Sequence, residues 1–504
     1  MERLRYDGLG DFIDQLDQLG ELVRIEREVD PRLEITEIAD RCMKAPGGGP
    51  ALLFERVRGS GFPLAVNLMG SRRRMSLALG VQDIDEHANE LLDLLRTEPG
   101  STLWEKLKAL PKLARLASML PKSIPSGAPC QEVVEDSPDL TNLPIATCWP
   151  GDGGPFITLG QVITRDPDNG HRNVGLYRMQ LLGKNTTAMH WQVHKTGHRH
   201  YRRYKELKRR IPVAVALGGD PALIYAATAP MPDGVDEYLL AGFLRRRPVK
   251  LVRCKTNDLE VPADADFVLE GYVDPEEPLV DEGPFGDHTG YYTPKDRFPA
   301  FHVTCVTRRK SPVYPHTIVG PPPMEDAWIG KATERLFLPL LKMTFPEIVD
   351  MNLPVEGAFH NLALLSIRKE YPAHARKIAH SLWGTGQLMF TKCVIVVDED
   401  VDVQNPAEVA WRVLANLDPR RDLFFSEGPT DQLDHAPATP CISSKVGIDA
   451  TKKWPEEGYA REWPEIARMS PDIQARIDRT WPELGIRLPG TALASGRPFP
   501  RGKR

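Results

Sequence analysis

The sequence lacks several features that would assign it to a specialised class of protein. Its seven cysteines are widely scattered and form no C-x-x-C pair, so they predict reduced thiols in a cytosol and no thiolate metal site. No run of about 18 consecutive apolar residues occurs, and the opening segment has no apolar stretch after its charges, which argues against a signal peptide. A net charge of -5 argues against nucleic-acid binding, which normally requires a strongly basic face. These absences predict a soluble cytoplasmic protein.

What is present is an ordinary globular composition. The chain has 504 residues, of which 41% are hydrophobic and 26% are charged, a balance far from that of disordered proteins. No internal repeat and no long low-complexity tract occur. The length is typical of about two to four domains.

The first part of the chain, residues 1–125, has the pattern of a small α/β unit. Helices are predicted over 11–19 and 34–44, and strands over 22–29 and 51–57. A basic helical stretch at 105–120 is interpreted as a surface helix, with peripheral contact to the inner face of a membrane as the less favoured alternative. The Pro/Ser/Gly-rich segment 121–129 is predicted to be a linker.

The middle of the chain, residues 126–320, is rich in strands. Strand patterns recur between turn residues at 156–164, 173–182, 211–219, 249–254, 266–273 and 301–307, which favours a barrel or a sandwich over a regular βαβ series. Residues 321–460 alternate between helix and strand and predict a doubly wound α/β domain. Residues 461–487 form a predicted helical segment, with a helix over 471–481, and 488–504 a disordered basic tail. The fold class is therefore mixed α/β.

Polar functional groups are concentrated in the strand-rich middle part. Asn173 and Arg178 lie five residues apart, so on a regular strand they would point to opposite faces unless a turn intervenes. Glu282 and Asp287 flank a glycine-rich loop that could bring two acids into one site. Taken singly, such residues are more often structural hydrogen-bonding groups. Together they indicate an enzyme with a carboxylate-lined polar site.

Long motifs in these segments resemble the UbiD family of decarboxylases. They are NVGLYRMQLLGKN, MHWQVHKTG, PVAVALGGDPA, LVRCKTNDLEVPADADFVLEGYV and EGPFGDHTGYYTP, with GPPPMEDAWIGKATERLFLPLLK and KVGIDATKKWPEEGY in the second half. The resemblance implies a central split β-barrel domain that binds prenylated FMN, and loss of CO2 from an aromatic or unsaturated acid through a covalent adduct with that cofactor. Removal of CO2 from an sp2 carbon requires such an electron sink, because side chains supply none.

The resemblance also implies a catalytic set of three residues. Arg178 matches the arginine that faces the substrate carboxylate, and its planar fork suits both that group and Glu282. Asp287 matches the proton donor, although some relatives carry Glu there. An acid that delivers a proton near pH 7 needs a raised pKa, which we expect from burial and from the second carboxylate.

By the same resemblance, the cofactor phosphate is bound through Mn2+ or Mg2+, with K+ as a further ion. The matching metal ligands are Asn173, His190 and Glu237, a mainly hard donor set suited to these ions; some relatives have arginine in place of His190. The K+ ion would be bound by backbone carbonyls near Ala226, Ala227 and Ala229. The remaining residues that match cofactor contacts are Leu176, Tyr177, Trp191, Gln192, Lys195, Thr196 and, from the second α/β domain, Lys392.

The substrate within the family stays open at this point. The first interpretation is 4-hydroxy-3-polyprenylbenzoate in ubiquinone biosynthesis, and the second is the corresponding naphthoate in menaquinone biosynthesis. Other hydroxybenzoate or phenylacrylate-type acids come third. A non-catalytic flavin-binding protein is the alternative from a different class. The resemblance further implies a homo-oligomer, dimer or hexamer, and a flavin prenyltransferase that supplies the cofactor.

Overall fold

The computed structural model describes residues 6–95 and 117–486. The chain divides into two compact units: the first contains residues 1–339 and 432–436, and the second contains residues 340–431 and 437–504. The finer division made from the sequence stays a prediction. The predicted tail at 488–504 and residues 105–116 of the basic stretch lie outside the described residues.

The first unit opens with four helices and three short strands. They are α1 (Leu9–Gln18), β1 (Leu22–Ile25), α2 (Glu34–Met43), β2 (Ala51–Phe54), β3 (Leu64–Val66), α3 (Arg72–Ala78) and α4 (Asp85–Leu95). Helix α1 buries Leu9, Phe12, Ile13 and Leu16, which recur on one face at helical spacing. Strand β1 pairs in parallel with β2, and β2 pairs antiparallel with β3. The strands β1 and β2 are shorter than the strands predicted over 22–29 and 51–57.

The segment predicted to be a linker contains a strand. Residues Lys122–Ile124 form β4, which pairs in parallel with Lys250–Arg253. The prediction of a linker at 121–129 is therefore wrong for these residues. The high Pro/Ser/Gly content of the segment hid a three-residue edge strand whose backbone partner lies far away in sequence.

The centre of the first unit is a curled nine-stranded antiparallel sheet. Its strands are β5 (Val133–Glu135), β6 (Phe156–Ile157), β7 (Gln161–Arg165), β8 (Arg172–Leu176), β9 (Met179–Leu181), β10 (Thr186–Met189), β11 (Ile211–Leu217), β14 (Phe267–Val273) and β19 (Ala300–Arg308). Their order is β6-β9-β10-β19-β14-β11-β7-β8, and β5 also pairs with β19. The predicted mixed α/β class with a half-barrel sheet is confirmed.

Central strands of this sheet are buried on both faces. Along β11, Ala214 and Ala216 belong to one apolar cluster, and Val213, Val215 and Leu217 belong to another. Because side chains alternate between the faces of a strand, these clusters cover opposite sides of the sheet. Burial on both sides explains why β11 reads as a continuous apolar run.

Further helices and strands complete the first unit. The helices are α5 (Thr196–Glu206), α6 (Pro221–Ala226), α7 (Glu237–Arg245) and α8 (Glu325–Thr344), the last of which continues into the second unit. The strands are β12 (Lys250–Arg253), β13 (Glu260–Pro262), β15 (Val280–Glu282), β16 (Phe285–Gly286), β17 (Tyr292–Thr293), β18 (Asp296–Phe298) and β20 (Tyr314–His316). Strand β15 pairs with β18, and β16 pairs with β17. These two hairpins carry the acidic residues of the predicted site.

The second unit is built on a five-stranded mixed sheet. Its elements are β21 (Ile348–Asn352), β22 (Leu362–Ile367), α9 (His374–Trp383), β23 (Cys393–Asp398), α10 (Pro406–Asn416), α11 (Pro419–Asp422), β24 (Leu423–Pro429), β25 (Ile442–Asp449) and α12 (Pro471–Thr480). The strand order is β21-β22-β23-β25-β24, with the three central strands parallel. One apolar cluster of this unit includes Leu364, Val397 and Val413.

Candidate active site

Arg178 lies where one predicted strand breaks into two. The sequence predicts a continuous strand over 173–182, but β8 ends at Leu176 and β9 begins at Met179. The backbone N–H of Leu176, the last residue of β8, donates to the carbonyl of Ala227 at 2.9 Å. Because of this break, Asn173 and Arg178 do not lie on one regular strand, and the strand alternation does not force them to opposite faces.

The guanidinium of Arg178 binds both predicted acids. Its Nε donates to Oε1 of Glu282 at 2.7 Å and its Nη2 donates to Oε2 at 3.0 Å, a two-pronged contact that only a planar fork makes. Its Nη1 donates to Oδ2 of Asp287. Glu282 is completely buried. The structure therefore brings together the three residues predicted to be catalytic.

Both acids belong to one short segment, residues 282–288 (EGPFGDH), which we call the acid loop. Glu282 ends β15, and Asp287 directly follows β16. The Oδ1 atom of Asp287 accepts hydrogen bonds from the backbone N–H of His288 at 2.7 Å and from its Nδ1 at 3.0 Å. The carboxylate of Asp287 is therefore held by His288 of the loop as well as by Arg178.

Two further residues that the sequence analysis did not single out contact Arg178. Thr293 Oγ1 accepts from Nη2 of Arg178 at 3.1 Å and donates to the carbonyl of Phe285 at 3.2 Å. The Phe285 ring centroid lies 4.7 Å from the guanidinium carbon of Arg178. Both residues stand inside the motif EGPFGDHTGYYTP, so the motif was the signal that could have identified them.

The ionisation of the two acids differs from the expectation. Burial acts to raise the pKa of Glu282, but hydrogen bonds from His190 and Arg178 outweigh it and lower the pKa to about 2. Burial likewise opposes ionisation of Asp287, yet the charge of Arg178 and the contacts of His288 hold its pKa well below its usual range. The predicted raised pKa of Asp287 is wrong for this state, because Arg178 lies between the two carboxylates.

A raised pKa belongs instead to a neighbouring acid in the first turn of α8. Burial raises the pKa of Asp326 to about 7, while His288 lowers it and Asp287 raises it. Within the described part of the chain, the Oδ2 atom of Asp326 has no hydrogen-bond partner. A carboxyl that keeps its proton near neutral pH therefore lies within electrostatic reach of Asp287.

His190 follows β10 and belongs to the Arg178 cluster. Its Nδ1 lies 3.3 Å from Oε2 of Glu282, and its backbone N–H donates to the carbonyl of Arg178 at 3.3 Å. Its ring packs on Phe298 at a centroid distance of 4.2 Å. Burial and the charge of Arg178 lower the pKa of His190, which favours the neutral ring, and a nitrogen of a neutral ring can act as a ligand.

Glu237 of α7 contacts β8 at Val174, the residue next to Asn173. Glu237 begins α7, as the sequence predicted, and its Oε2 accepts from the backbone N–H of Val174 at 2.9 Å. Asp236 precedes it and accepts from Tyr238 as the N-terminal cap of the helix. Burial raises the pKa of Glu237 to about 7. The hydrogen bonds of His190 run to Arg178 and Glu282 rather than to Asn173 or Glu237.

Several of the remaining predicted cofactor contacts of the first unit lie at or near the start of α5. Tyr177 Oη accepts from the backbone N–H of Gly197 at 3.2 Å, next to Lys195 and Thr196 at the start of α5. Trp191 is buried and Gln192 is half-buried. A Cβ at Gly197 would lie 2.8 Å from the Trp191 ring, so glycine permits this close packing.

The carbonyls predicted to bind K+ are engaged in backbone contacts. The carbonyl of Ala226 accepts from Ala229, that of Ala227 from Leu176, and that of Ala229 from Met231. Each carbonyl oxygen has a second lone pair. Lys392 belongs to the second unit, where its backbone N–H donates to Asn361 at 3.1 Å just before β23.

Three buried polar atoms test whether a metal and a flavin fit the first unit. Over residues 6–95 and 117–486, Asn173 Nδ2, His190 Nε2 and Trp191 Nε1 have no hydrogen-bond partner. Buried polar groups are nearly always paired, so these three call for a group that the chain does not supply. Rotation of the Asn173 amide exchanges its oxygen and nitrogen. With Glu237 beside it, the donors suit Mn2+ or Mg2+.

Comparison with known families assigns almost the whole chain. The family model described as 3-octaprenyl-4-hydroxybenzoate carboxy-lyase Rift-related domain matches residues 122–322. The N-terminal and C-terminal domain models of the same carboxy-lyase match residues 13–95 and 327–450. The chain therefore belongs to the UbiD family, and it is a carboxy-lyase.

Curated relatives match the chain over nearly its full length. An uncharacterized protein of Aquifex aeolicus (strain VF5) is 52% identical over 482 residues, which are 96% of this chain and 99% of that protein. An uncharacterized protein of Archaeoglobus fulgidus is 51% identical over 483 residues, 95% of this chain and 99% of that protein.

Solved structures share the fold. Vanillic acid decarboxylase of Sedimentibacter hydroxybenzoicus in closed form has a TM-score of 0.83 at 26% identity, covering 96% of this chain and 99% of that one. The UbiD-class enzyme HmfF of Pelotomaculum thermopropionicum, in complex with FMN, has a TM-score of 0.75 at 30% identity, covering 91% and 97%. An evolved dimeric form of HmfF with prFMN has a TM-score of 0.76 at 29% identity, covering 93% and 98%.

Among the helices formed by residues 6–95 and 117–486, none is long and apolar enough to cross a bilayer.

Proposed function

We propose that this chain removes CO2 from an aromatic acid with prenylated FMN and a divalent metal, Mn2+ or Mg2+. The observation that carries the proposal is the buried Arg178 guanidinium, bound by Glu282 and Asp287 from one loop. A scaffold that only binds a flavin has no need of a cation bound by two acids. The HmfF structures with FMN and with prFMN support the choice of cofactor.

In this proposal Arg178 orients the substrate carboxylate. The cluster holds one cation and two carboxylates, so it already carries a net negative charge. A third carboxylate that approaches Arg178 competes with Asp287 for the guanidinium and raises the pKa of Asp287. Asp287 then takes up the proton that decarboxylation requires, while Glu282 keeps Arg178 in place.

Asp287 returns that proton to the carbon that has lost CO2. The reaction converts a carboxylate and one proton into CO2 and a C–H bond, so each turnover consumes a proton from solvent. When bound, prenylated FMN supplies the electron sink that side chains lack. Burial of Glu282 and Asp287 excludes water and strengthens their interactions with Arg178.

The metal and cofactor are assigned to the residues that fit them. Asn173, Glu237 and His190 would bind the metal that joins the flavin phosphate to the protein. Leu176, Tyr177, Trp191, Gln192, Lys195 and Thr196 would contact the flavin, with Lys392 as a cationic contact from the second unit. A K+ ion at the carbonyls of Ala226, Ala227 and Ala229 belongs to the same proposal.

For the substrate we propose 4-hydroxy-3-polyprenylbenzoate, as in ubiquinone biosynthesis. The family description, a 3-octaprenyl-4-hydroxybenzoate carboxy-lyase, supports it. A naphthoate of menaquinone biosynthesis is the second candidate, because the motifs MHWQVHK, EGAFHN and ATKKWPEEGY resemble the members that act on it at least as closely. Either substrate fits a cytoplasmic enzyme that acts as a homo-oligomer.

The proposal is tested with protein produced with and without a flavin prenyltransferase. Both preparations are assayed for CO2 release from a prenylated 4-hydroxybenzoate, a hydroxynaphthoate, vanillate and cinnamate. We expect activity only in the first preparation, and most on the prenylated benzoate. Full activity with plain FMN would overturn the cofactor assignment, and flavin binding without turnover of any acid would favour the non-catalytic alternative.

A further inference from the structure

A turn before β6 is hydrogen-bonded to the acid loop at Pro284 and at Gly286. This turn, residues 148–153 (CWPGDG), is called the brace turn below. The backbone N–H of Gly153 donates to the carbonyl of Pro284 at 2.8 Å. The backbone N–H of Gly151 donates to Tyr292 Oη at 2.9 Å, on the strand that pairs with the acid loop.

Glycines let the two backbones approach this closely. A Cβ added to Gly153 would lie 2.2 Å from the carbonyl oxygen of Gly283. A Cβ added to Gly286 would lie 2.2 Å from Cδ1 of Trp149. Neither separation is sterically allowed, so the pairing of the two segments depends on glycine at both positions.

Asp152 is the side chain that joins the brace turn to the acid loop. Its Oδ2 accepts from the backbone N–H groups of Cys148 at 3.1 Å and Trp149 at 2.8 Å, which closes the turn. Its Oδ1 accepts from the backbone N–H of Gly286 at 2.8 Å. Gly286 directly precedes Asp287, so this bond fixes the backbone one residue before the proposed proton donor.

Asp152 also belongs to the electrostatics of the cluster. Burial raises the pKa of Asp152, while its three backbone donors and the charge of Arg178 lower it. It is thus a third carboxylate within reach of Arg178, but its oxygens accept hydrogen bonds from the backbone N–H groups of Cys148, Trp149 and Gly286. Its contacts position the loop rather than the guanidinium.

We propose that Asp152 is a positioning residue for decarboxylation: its bond to Gly286 holds the acid loop so that Asp287 stays on Arg178. The inference rests on the proposed function, because it assigns Asp287 the proton transfer. Misplacement of a reacting group by about 1 Å can cost about 10²-fold in rate. Loss of the Gly286 bond should therefore lower turnover without removing any group that touches the substrate.

The Asp152→Asn variant separates the contacts of this side chain within the brace turn from its contact with the acid loop. An amide offers one oxygen, which satisfies the two N–H groups of the brace turn. Its NH2 group then faces the N–H of Gly286, where two donors oppose each other. The brace turn is kept and the link to the acid loop is lost. Asp139→Asn is the matched control, because Asp139 closes a local turn by accepting from Thr141 at 3.1 Å.

Two readouts are measured on flavin-loaded enzyme: kcat and KM on the best acid, and backbone hydrogen–deuterium exchange of peptides covering 283–291 and 146–152. For Asp152→Asn we expect kcat to fall about 10- to 100-fold, with unchanged flavin absorbance. Exchange should increase in 283–291 and not in 146–152. Asp139→Asn should match the wild type in kcat and in both peptides.

Gly286→Ala changes the acid-loop side of the same interface and should reproduce the loss of turnover. Unchanged exchange in 283–291, or faster exchange with wild-type kcat, would overturn the role of Asp152. If the wild type decarboxylates none of the acids, the proposed function fails. The exchange data then still decide whether Asp152 holds the acid loop.

Discussion

Arg178 is a single cation that two carboxylates share, so its shape matters as much as its charge. An ammonium group cannot occupy both prongs on Glu282 and also bind Asp287. We therefore expect Arg178→Lys to lower kcat/KM by about 10²-fold or more, in line with the loss of a charge-assisted, two-pronged contact. The measurement is steady-state decarboxylation with flavin content checked.

The matched control is Arg297→Lys, an exposed arginine on β18 that donates to the carbonyl of Leu279 at 2.8 Å. This variant should keep wild-type kinetics. Equal losses in both variants, or wild-type kcat/KM in Arg178→Lys, would contradict the role assigned to the guanidinium.

Glu237 provides the second test at the residue scale. Burial raises its pKa to about 7, against the lowering effect of backbone hydrogen bonds and of Arg172, and a bound divalent metal would favour the carboxylate. Glu237→Gln removes that charge, so we expect loss of most of the flavin on gel filtration. Glu260→Gln, at an acid that pairs with Arg172, should retain the cofactor. Unchanged flavin absorbance in Glu237→Gln would contradict the ligand role.

Which of these residues the sequence could identify depends on their separation along the chain. Glu282 and Asp287 flank one glycine-rich loop, so their common site was predictable from five residues. The contact of His190 with Glu282 spans 92 residues along the chain. No local pattern encodes such a contact, and the resemblance assigned His190 to the metal and Glu282 to the catalytic set.

At the scale of elements, apolar patterns identified the strands but not their breaks. Residues 173–182 have a continuous strand pattern, yet β8 ends at Leu176, whose N–H bonds to the carbonyl of Ala227. The same happens at 156–164, which divides into β6 and β7. Partners of this kind come from another element, so a strand pattern alone cannot show them. Helices, whose hydrogen bonds are local, matched their predictions more closely.

Glu347, just before β21, connects the sheet of the second unit to α9. It accepts from His374 Nε2 at 2.9 Å and from Lys377. Burial opposes its ionisation, but these contacts lower the pKa of Glu347 from 4.5 to about 2. The folded state therefore favours the ionised carboxylate more than the unfolded state does. Its stabilisation is complete above about pH 4.5 and is lost as the pH falls toward 2.

Glu347→Gln should therefore lower the melting temperature at pH 7, by an amount that corresponds to about 1.5–3 kcal/mol for hydrogen bonds to a charged group. The difference from the wild type should shrink below pH 4. Glu399→Gln is the control, because Glu399 is exposed and lies 3.7 Å from an exposed arginine. A pH-independent difference, or none at pH 7, would contradict the assignment.

At the scale of the whole molecule, the family resemblance predicts a homo-oligomer built from dimers. In the described part of the chain, α12 buries none of its residues, and Ile477 on it is exposed. An amphipathic helix left in this state favours contact with a second copy. Light scattering at micromolar concentration should give a dimer or a hexamer, and Ile477→Glu should increase the monomer fraction. A wild-type monomer would refute the prediction.

Composition and charge predicted an ordinary globular chain, but they could not name a substrate. The two candidate substrates differ in the tail they carry and share the same carboxylate chemistry. Arg178, Glu282 and Asp287 serve either one equally well. Substrate choice therefore depends on pocket shape, which is set by packing of side chains that no motif specifies.

In the proposed reaction Asp287 returns a proton to the carbon from which CO2 departs, and the product made in deuterated water reports on that transfer. Wild type and Asp287→Asn, both loaded with flavin, are compared for turnover and for solvent-deuterium exchange into the product. Asparagine keeps the size of the side chain but has no carboxyl proton to deliver. A general acid typically contributes about 10²–10⁴-fold in rate. We predict a loss of that order in both turnover and exchange with flavin binding intact. Near-normal turnover and exchange in Asp287→Asn would contradict the account and make Glu282 the first alternative as the proton donor.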